Sequence, residues 1–423
     1  MNRIVFTAGS VFDGTGAPAF PGEVVIDGDR VLEVRRGYHP DLHIDDHIIE
    51  IAGHTVMPGL VESHAHLTFP SAVGHLDPSF NPPVDVSFFH HIEGFEPELA
   101  RTERNARILL DAGFTSAYSA GSLLDMPVEI VVRDKIRGGA IPGPRLRACA
   151  AERDNSPMRP GGHLVADWQG AASCASWVHD KAGQGFDSIK VLVSNDDVFL
   201  PGGSMITQYT AEELSAMSAA AKERGVWLNG HCQNPEAVKL AVRAGFRSIY
   251  HCSYADTEAL DLLESAKDTV FVSPAPGIIH ANIHEGEPFG ITPEVAVQMG
   301  SPGSLEGMCA VYPEMRSRGI RVLIGGDYGF PNNPTGRNAR DLGLFVSYFG
   351  YTAVEALVAA TKFGGQLMGM GDELGVLAPG YLADLLVVAG DPTADVTILE
   401  DTARIAYIVQ GGRFHKQPGA LAA

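Results

Sequence analysis

The chain has 423 residues, with 31 lysines and arginines against 51 aspartates and glutamates, a formal net charge of −20. That length exceeds one ordinary core, yet a barrel of about 250 residues or more is still one domain, so one large domain plus a small one is expected. The acidity argues against nucleic acid or an anionic membrane as partner.

Five scattered cysteines without a Cys-x-x-Cys fit a reducing cytoplasm rather than a disulfide framework. No apolar signal segment opens the chain and no apolar run is long enough to span a bilayer, so a soluble cytoplasmic protein is expected. A small-molecule substrate and assembly as a homo-oligomer are expected as well. Residues 1–55 read as short strands joined by turns, as in Ile4-Val5-Phe6, Glu23-Val24-Val25-Ile26 and Val31-Leu32-Glu33-Val34. Next comes Thr55-Val56-Met57, a break at Pro58-Gly59, and Leu60-Val61 leading to His64-Ala65-His66. On an extended chain two residues apart share a face, so both imidazoles can reach one metal ion. Such a pair also occurs by chance on wet strand faces, and it gains meaning only from partners elsewhere.

The stretch that follows is aromatic and proline-rich, with Phe69, Phe80, Phe88, Phe89 and Phe95. From about residue 96 to 327 one phrase repeats: an amphipathic helix, a glycine or similar break, then a short apolar strand. Thr210 with Glu213 three residues on has the spacing of a capping box, and Arg224-Gly225 ends that helix before Val226-Trp227-Leu228. Asn234-Pro235 starts the next helix, which stops at Gly245 before Ser248-Ile249-Tyr250-His251. Gly319 to Asp327 reads as a last strand. Strands alternating with helices at this spacing imply parallel βαβ units. The count approaches eight, which predicts an α/β protein with a (β/α)8 TIM barrel over 56–370. The strand-like ends, 1–55 and 371–423, are each too small for a core and are expected to join as one small β-sandwich domain.

His64, His66, Lys190, His231, His251 and Asp327 each fall at or near the C-terminal end of a predicted strand, where a barrel gathers its active site. These residues resemble the amidohydrolase superfamily over essentially the whole chain. The matching pieces are Phe12-Asp13-Gly14, Pro58-Gly59-Leu60 with His64-Ala65-His66, Lys190, His231, His251, Gly326-Asp327 and Gly375-Val376-Leu377-Ala378-Pro379-Gly380-Tyr381-Leu382-Ala383-Asp384. The resemblance implies two divalent metal ions, Zn²⁺ foremost with Co²⁺ or Mn²⁺ as alternatives. It puts His64, His66 and Asp327 on the first ion and His231 and His251 on the second. A CO2-derived carbamate on Lys190 would bridge them, its negative charge offsetting the two cations. Without Lys190 as a ligand, a mononuclear deaminase-like site would be the better reading; a snorkelling barrel lysine is the structural alternative.

Hydrolysis by a metal-bound hydroxide follows from such a site. Asp327 is positioned to move the nucleophile's proton to the leaving nitrogen, or to act purely as a ligand. The resemblance is nearest to prolidase-like and ochratoxin-type amidases and to phenylurea and thiocarbamate hydrolases. It gives His163, in Gly161-Gly162-His163, a place at the substrate carbonyl as an oxyanion stabiliser, against a plain loop histidine at the rim. Those relatives carry an Arg-Asp pair near Tyr118-Ser119-Ala120-Gly121, and this chain does not.

Phe88 and Phe89 would wall the pocket, or else brace the loop on the barrel. The segment from Ala275 to Phe289 could close over the same mouth. An apolar wall favours an amide, carbamate or urea with an aryl or alkyl group; an Xaa-Pro dipeptidase or a cyclic amide (imidazolonepropionase-like) hydrolase is the alternative. A carboxylate substrate would need an arginine in the mouth, with Arg153 and Arg159 in the right loop. Cys232 and Cys252 follow ligand histidines and should turn into the barrel wall. A non-catalytic scaffold on this fold predicts missing ligands, and none of the six is missing.

Overall fold

The computed structural model describes residues 3–39, 46–76, 94–122, 124–155 and 169–419. The break at Pro58-Gly59 divides two sheets. His54–Pro58 runs in a sheet of the chain ends, and Leu60–Ala65 starts the parallel strands. Gly59 is where the two meet: a Cβ there would lie 2.1 Å from Thr115 Oγ1, and its N–H donates to the Asp384 carbonyl at 2.9 Å. Only glycine leaves room for the Thr115 side chain at this junction.

Eight strands from both ends form one sheet. Its order is Arg413–Lys416, Ile405–Gln410, Leu385–Ala389, His54–Pro58, Ile4–Val11, Phe20–Asp27 and Arg30–Arg36, with His47–Glu50 parallel to Ile4–Val11. Leu385–Ala389 lies antiparallel to His54–Pro58. Both ends share one buried apolar cluster, with Phe6, Val24 and Ile49 against Leu385, Val387 and Val409. A second tie explains the closing Ala383-Asp384. The buried Asp384 carboxylate accepts two hydrogen bonds from the Arg145 guanidinium, at 2.8 and 3.0 Å, and holds the end sheet against the strand Arg145–Arg147.

Apart from the short antiparallel pair Ser71–Ala72 and His75–Leu76, the remaining strands are parallel. Leu60–Ala65, Phe114–Ser119 and Arg145–Arg147 make a three-stranded sheet; Ser188–Leu192, Trp227–Cys232, Ser248–His251 and Phe271–Ser273 make a four-stranded one. Isolated parallel bridges join them: Cys149 with Ser188, Arg153 with Val191, Val272 with Val322, and Ala65 with Tyr328. Gly319 to Asp327, read as a strand from sequence, pairs through the bridge at Val322, with Val272 N–H donating to the Arg321 carbonyl at 3.0 Å and Leu323 N–H to the Val272 carbonyl at 2.8 Å. Among the described residues no helix is long and apolar enough to cross a membrane.

The helix signals act as written. Thr210 and Glu213 form the capping box of Ala211–Arg224, and Gly225 ends that helix in the left-handed conformation. The Asn234 side chain accepts from Ala237 N–H at the start of Pro235–Ala244. Phe95 opens the helix Phe95–Asp111 and packs on the main core, away from the pocket. Cys232 and Cys252 are fully buried in the same core, and burial pushes both thiols up.

Candidate metal centre

All six sequence-predicted ligands, His64, His66, Lys190, His231, His251 and Asp327, line one cavity of about 530 Å³. His66 Nε2 is 3.2 Å and His64 Nε2 3.8 Å from Asp327 Oδ1. Ligating atoms of these three residues lie within 4.8 Å of one another, close enough for one ion. The His231 and His251 rings sit edge to face at 4.3 Å, and His251 is 5.4 Å from His64. The buried Lys190 lies across the Tyr250 ring, its Nζ 4.6 Å from the centroid, while His64 stacks on the same ring at 4.0 Å.

Each ring is set by its surroundings. His66 Nδ1–H donates to the Gly121 carbonyl at 2.7 Å, which fixes the tautomer and turns Nε2 to Asp327. Gly121 has φ of 105°, and a Cβ there would meet the Ala150 carbonyl at 2.9 Å and Lys190 Cβ at 3.2 Å. Burial, then the charge of Lys190 and the neighbouring imidazoles, holds His64 well below its ordinary pKa; burial and His231 do the same to His251. Neutral imidazole is the ligand form. Both His64 ring nitrogens are buried and make no hydrogen bond with described residues, and a metal ion shared with Asp327 would satisfy Nε2. His251 and Asp327 are left-handed, with φ of 71° and 58°. Strain of this kind persists where surrounding structure holds it. Tyr312 donates to the His251 carbonyl, and Asn333 Nδ2 to the Asp327 carbonyl at 2.9 Å.

Three carboxylates here were missed by sequence reasoning. Glu152 Oε1 is 3.4 Å from Lys190 Nζ and 4.0 Å from His66 Nε2. It follows a strand end as the recognised ligands do, but on a strand only three residues long. Asp196 Oδ2 is 3.4 Å from His231 Nε2. Burial, reinforced by Asp197 and Asp327, pushes Asp196 up to about 6 against the hydrogen bond from Val198 N–H. Glu62 lies behind the site, accepting from His64 N–H at 2.9 Å and Asn338 Nδ2 at 2.7 Å. Burial and the charge of Asp341 push Glu62 up to about 8 from an ordinary 4.5.

Between those two values the folded chain holds a proton at Glu62 that the unfolded chain has lost, so stability falls as pH rises. In chelator-treated protein the urea midpoint should drop from pH 5 to pH 8, and Glu62→Gln should shrink that drop. An undiminished drop in the variant would remove Glu62 from the account.

The other expectations resolve unevenly. His163, Phe88, Phe89, Phe80 and Arg159 lie outside the described residues. Arg153 is turned away: its Nη2 meets Ser173 Oγ and Cys174 Sγ, and its guanidinium faces Trp177. Phe69 lines the cavity, stacked on His66 at 4.1 Å and edge-on to Phe330 at 5.1 Å. From the Ala275 to Phe289 segment, Ile278 and Ile279 reach the cavity wall and Phe289 does not.

Buried histidines and a buried lysine on or just past parallel strands, with a half-buried aspartate beside them, are the arrangement of a metal-dependent hydrolase. The Amidohydrolase family pattern matches residues 55–414, and the chain belongs to that family. It is similar to ochratoxinase of Aspergillus niger, 26% identical over 237 residues. That match covers 56% of this chain and 48% of ochratoxinase, about half the relative's length. In fold it resembles the crystal structure of a Xaa-Pro dipeptidase with bound methionine in the active site. The TM-score is 0.83 at 24% identity, covering 98% of this chain and 100% of that one. Phenylurea hydrolase B is similar too, with a TM-score of 0.78 at 18% identity over 98% of this chain and 96% of the other.

Proposed function

We propose that this chain is a binuclear metal hydrolase that cleaves the C–N bond of an amide, carbamate or urea in a small apolar or aromatic molecule. The observation that carries the reading is that His64, His66, Lys190, His231, His251 and Asp327 line a single cavity. In this reading His64, His66 and Asp327 would hold one divalent ion and His231 and His251 the other, Lys190 would serve both as a carbamate, and zinc would be the metal. When bound, such a pair supplies Lewis acidity at the scissile carbonyl and lowers the pKa of water. Asp327 takes the proton of the attacking water and passes it to the leaving nitrogen. Phe69, Phe330, Ile278 and Ile291 give the acyl or aryl part a dry wall.

His163 as a donor to the carbonyl oxygen, and Phe88 and Phe89 as further wall, belong to the same reading. So does the closure of the parallel segments as a (β/α)8 barrel over 56–370, with 1–55 and 371–423 as a β-sandwich, in a cytoplasmic homo-oligomer. The second reading, an Xaa-Pro dipeptidase or cyclic amide hydrolase, shares the site. Its dipeptide form calls for an arginine in the mouth; none lines the cavity among the described residues, and Arg159 lies outside them. Comparing kcat/KM for acyl-Pro dipeptides, anilides and arylureas tests the reading. Anilides or arylureas should lead by at least about 10-fold, the worth of one well-placed contact. Leading dipeptides would install the second reading, and no turnover of any class would overturn both.

A further inference from the structure

Asp327 stands in a backbone conformation that few residues adopt, with φ of 58°. A residue held left-handed in this way persists only where its surroundings over-determine it. The approach to it is tightly filled: a Cβ on Gly326 would lie 2.4 Å from Asp341 Oδ1, and one on Gly325 2.6 Å from Ser273 Oγ. Two buried polar side chains, Asn333 and Asp341, grip this turn from either side.

The Asn333 amide has one possible orientation. Arg340 Nη2 donates to its Oδ1 at 2.5 Å, and a guanidinium can only donate, so the amide oxygen is the atom that faces it. The amide nitrogen then meets the turn, where it donates to the carbonyls of Gly326 and Asp327, each at 2.9 Å. Arg340 is itself fixed by Glu285, with Nη1 2.9 Å from Oε2. On the other side Asp341 Oδ2 accepts from Gly325 N–H at 3.0 Å, and its Oδ1 from the Tyr328 hydroxyl at 2.7 Å. None of these bonds is to the Asp327 carboxylate, which faces His66 at 3.2 Å.

We propose that Asn333 and Asp341 are positioning residues that act through Asp327, clamping its backbone so that the carboxylate is already aimed at His64 and His66 before a metal arrives. The inference rests on the metal-hydrolase reading above and deepens it. Loosening the clamp leaves every ligand in the chain, yet the third ligand must then be ordered at the expense of metal affinity.

Zinc titration of chelator-treated protein against a competing chelator tests it, with Asn333→Ala made in the wild type and in an Asp327→Ala background. Alanine suits position 327, since Ala8 and Ala275 hold φ of 64° and 61° in this chain. In the wild type, Asn333→Ala should weaken zinc binding by about 10–100-fold, the usual worth of a residue that orients a ligand. In the Asp327→Ala background the same change should cost less than about 2-fold, because nothing is left to position. Tyr328→Phe, which removes one hydrogen bond from Asp341, is run in the same two backgrounds and decides alone if Asn333→Ala does not fold. It should cost about 3-fold or more in the wild type, the scale of one hydrogen bond, and again nearly nothing without Asp327. Residues that only stabilise the fold would lower the melting temperature and weaken zinc equally in both backgrounds. Equal loss, or no loss in either background, would overturn the clamp while the metal reading stands. Wild-type protein that takes up no zinc would overturn both.

Discussion

Lys190→Ala is expected to lose turnover by about 10²-fold or more, since losing a bridging ligand must cost at least as much as losing a residue that orients one. Lys190 is 2% exposed and its Nζ sits 3.4 Å from Glu152 and over the Tyr250 ring. Truncation to alanine opens space at the point where a bridge would reach both histidine pairs. Short carboxylic acids with bicarbonate should enter that space and restore part of the activity, each supplying the two oxygens that the carbamate supplied. A structural lysine would behave differently: its loss would lower the melting temperature, and added carboxylate would restore nothing. A variant that keeps two metals per chain and full turnover would refute the bridge.

Asp327→Asn should keep much of the metal and lose about 10²–10⁴-fold in kcat, the usual worth of a positioned acid–base group. The substitution is chosen to spare the fold. Asp327 has φ of 58°, a conformation that asparagine tolerates as well as aspartate. Its carbonyl would still accept from Asn333, and the amide oxygen could still face His66. What disappears is the ability to take a proton and return it to the leaving nitrogen. Metal content and kcat measured together make the test. Near-normal kcat with metal retained would show that another group moves the proton, and Glu152 or Asp196 would become the candidate.

Much of the site was legible because its ligands obey a positional rule that sequence displays: a polar residue closing an apolar, β-prone run. His64, His231 and His251 all do so. The residues that aim them were not legible. Gly121 and Glu62 act on His66 and His64 through a carbonyl and a carboxylate whose neighbours are set by tertiary packing, as with Asn338 reaching Glu62 across the chain. Glu152 was hidden by the shortness of Arg145–Arg147.

In the fold, capping residues such as Thr210 and Asn234 announced their helices, whereas Ser301–Ser317 is interrupted in sequence by Pro302, Gly303, Gly307 and Pro313 and carries little helical pattern. The strands of the two ends were visible as strands, and their union in one small domain was expected from their size. Which strands pair was not visible, because Leu385–Ala389 and His54–Pro58 meet with no local signal between them.

The central claim is that the cavity works as a two-metal site, and metal analysis of the purified protein tests it most directly. The account predicts two equivalents of divalent metal per chain, loss of turnover on chelation, and recovery when zinc, cobalt or manganese is restored with bicarbonate present. One equivalent at full activity would replace the binuclear site by a mononuclear one on His64, His66 and Asp327. Full activity in protein stripped of metal would contradict the account altogether.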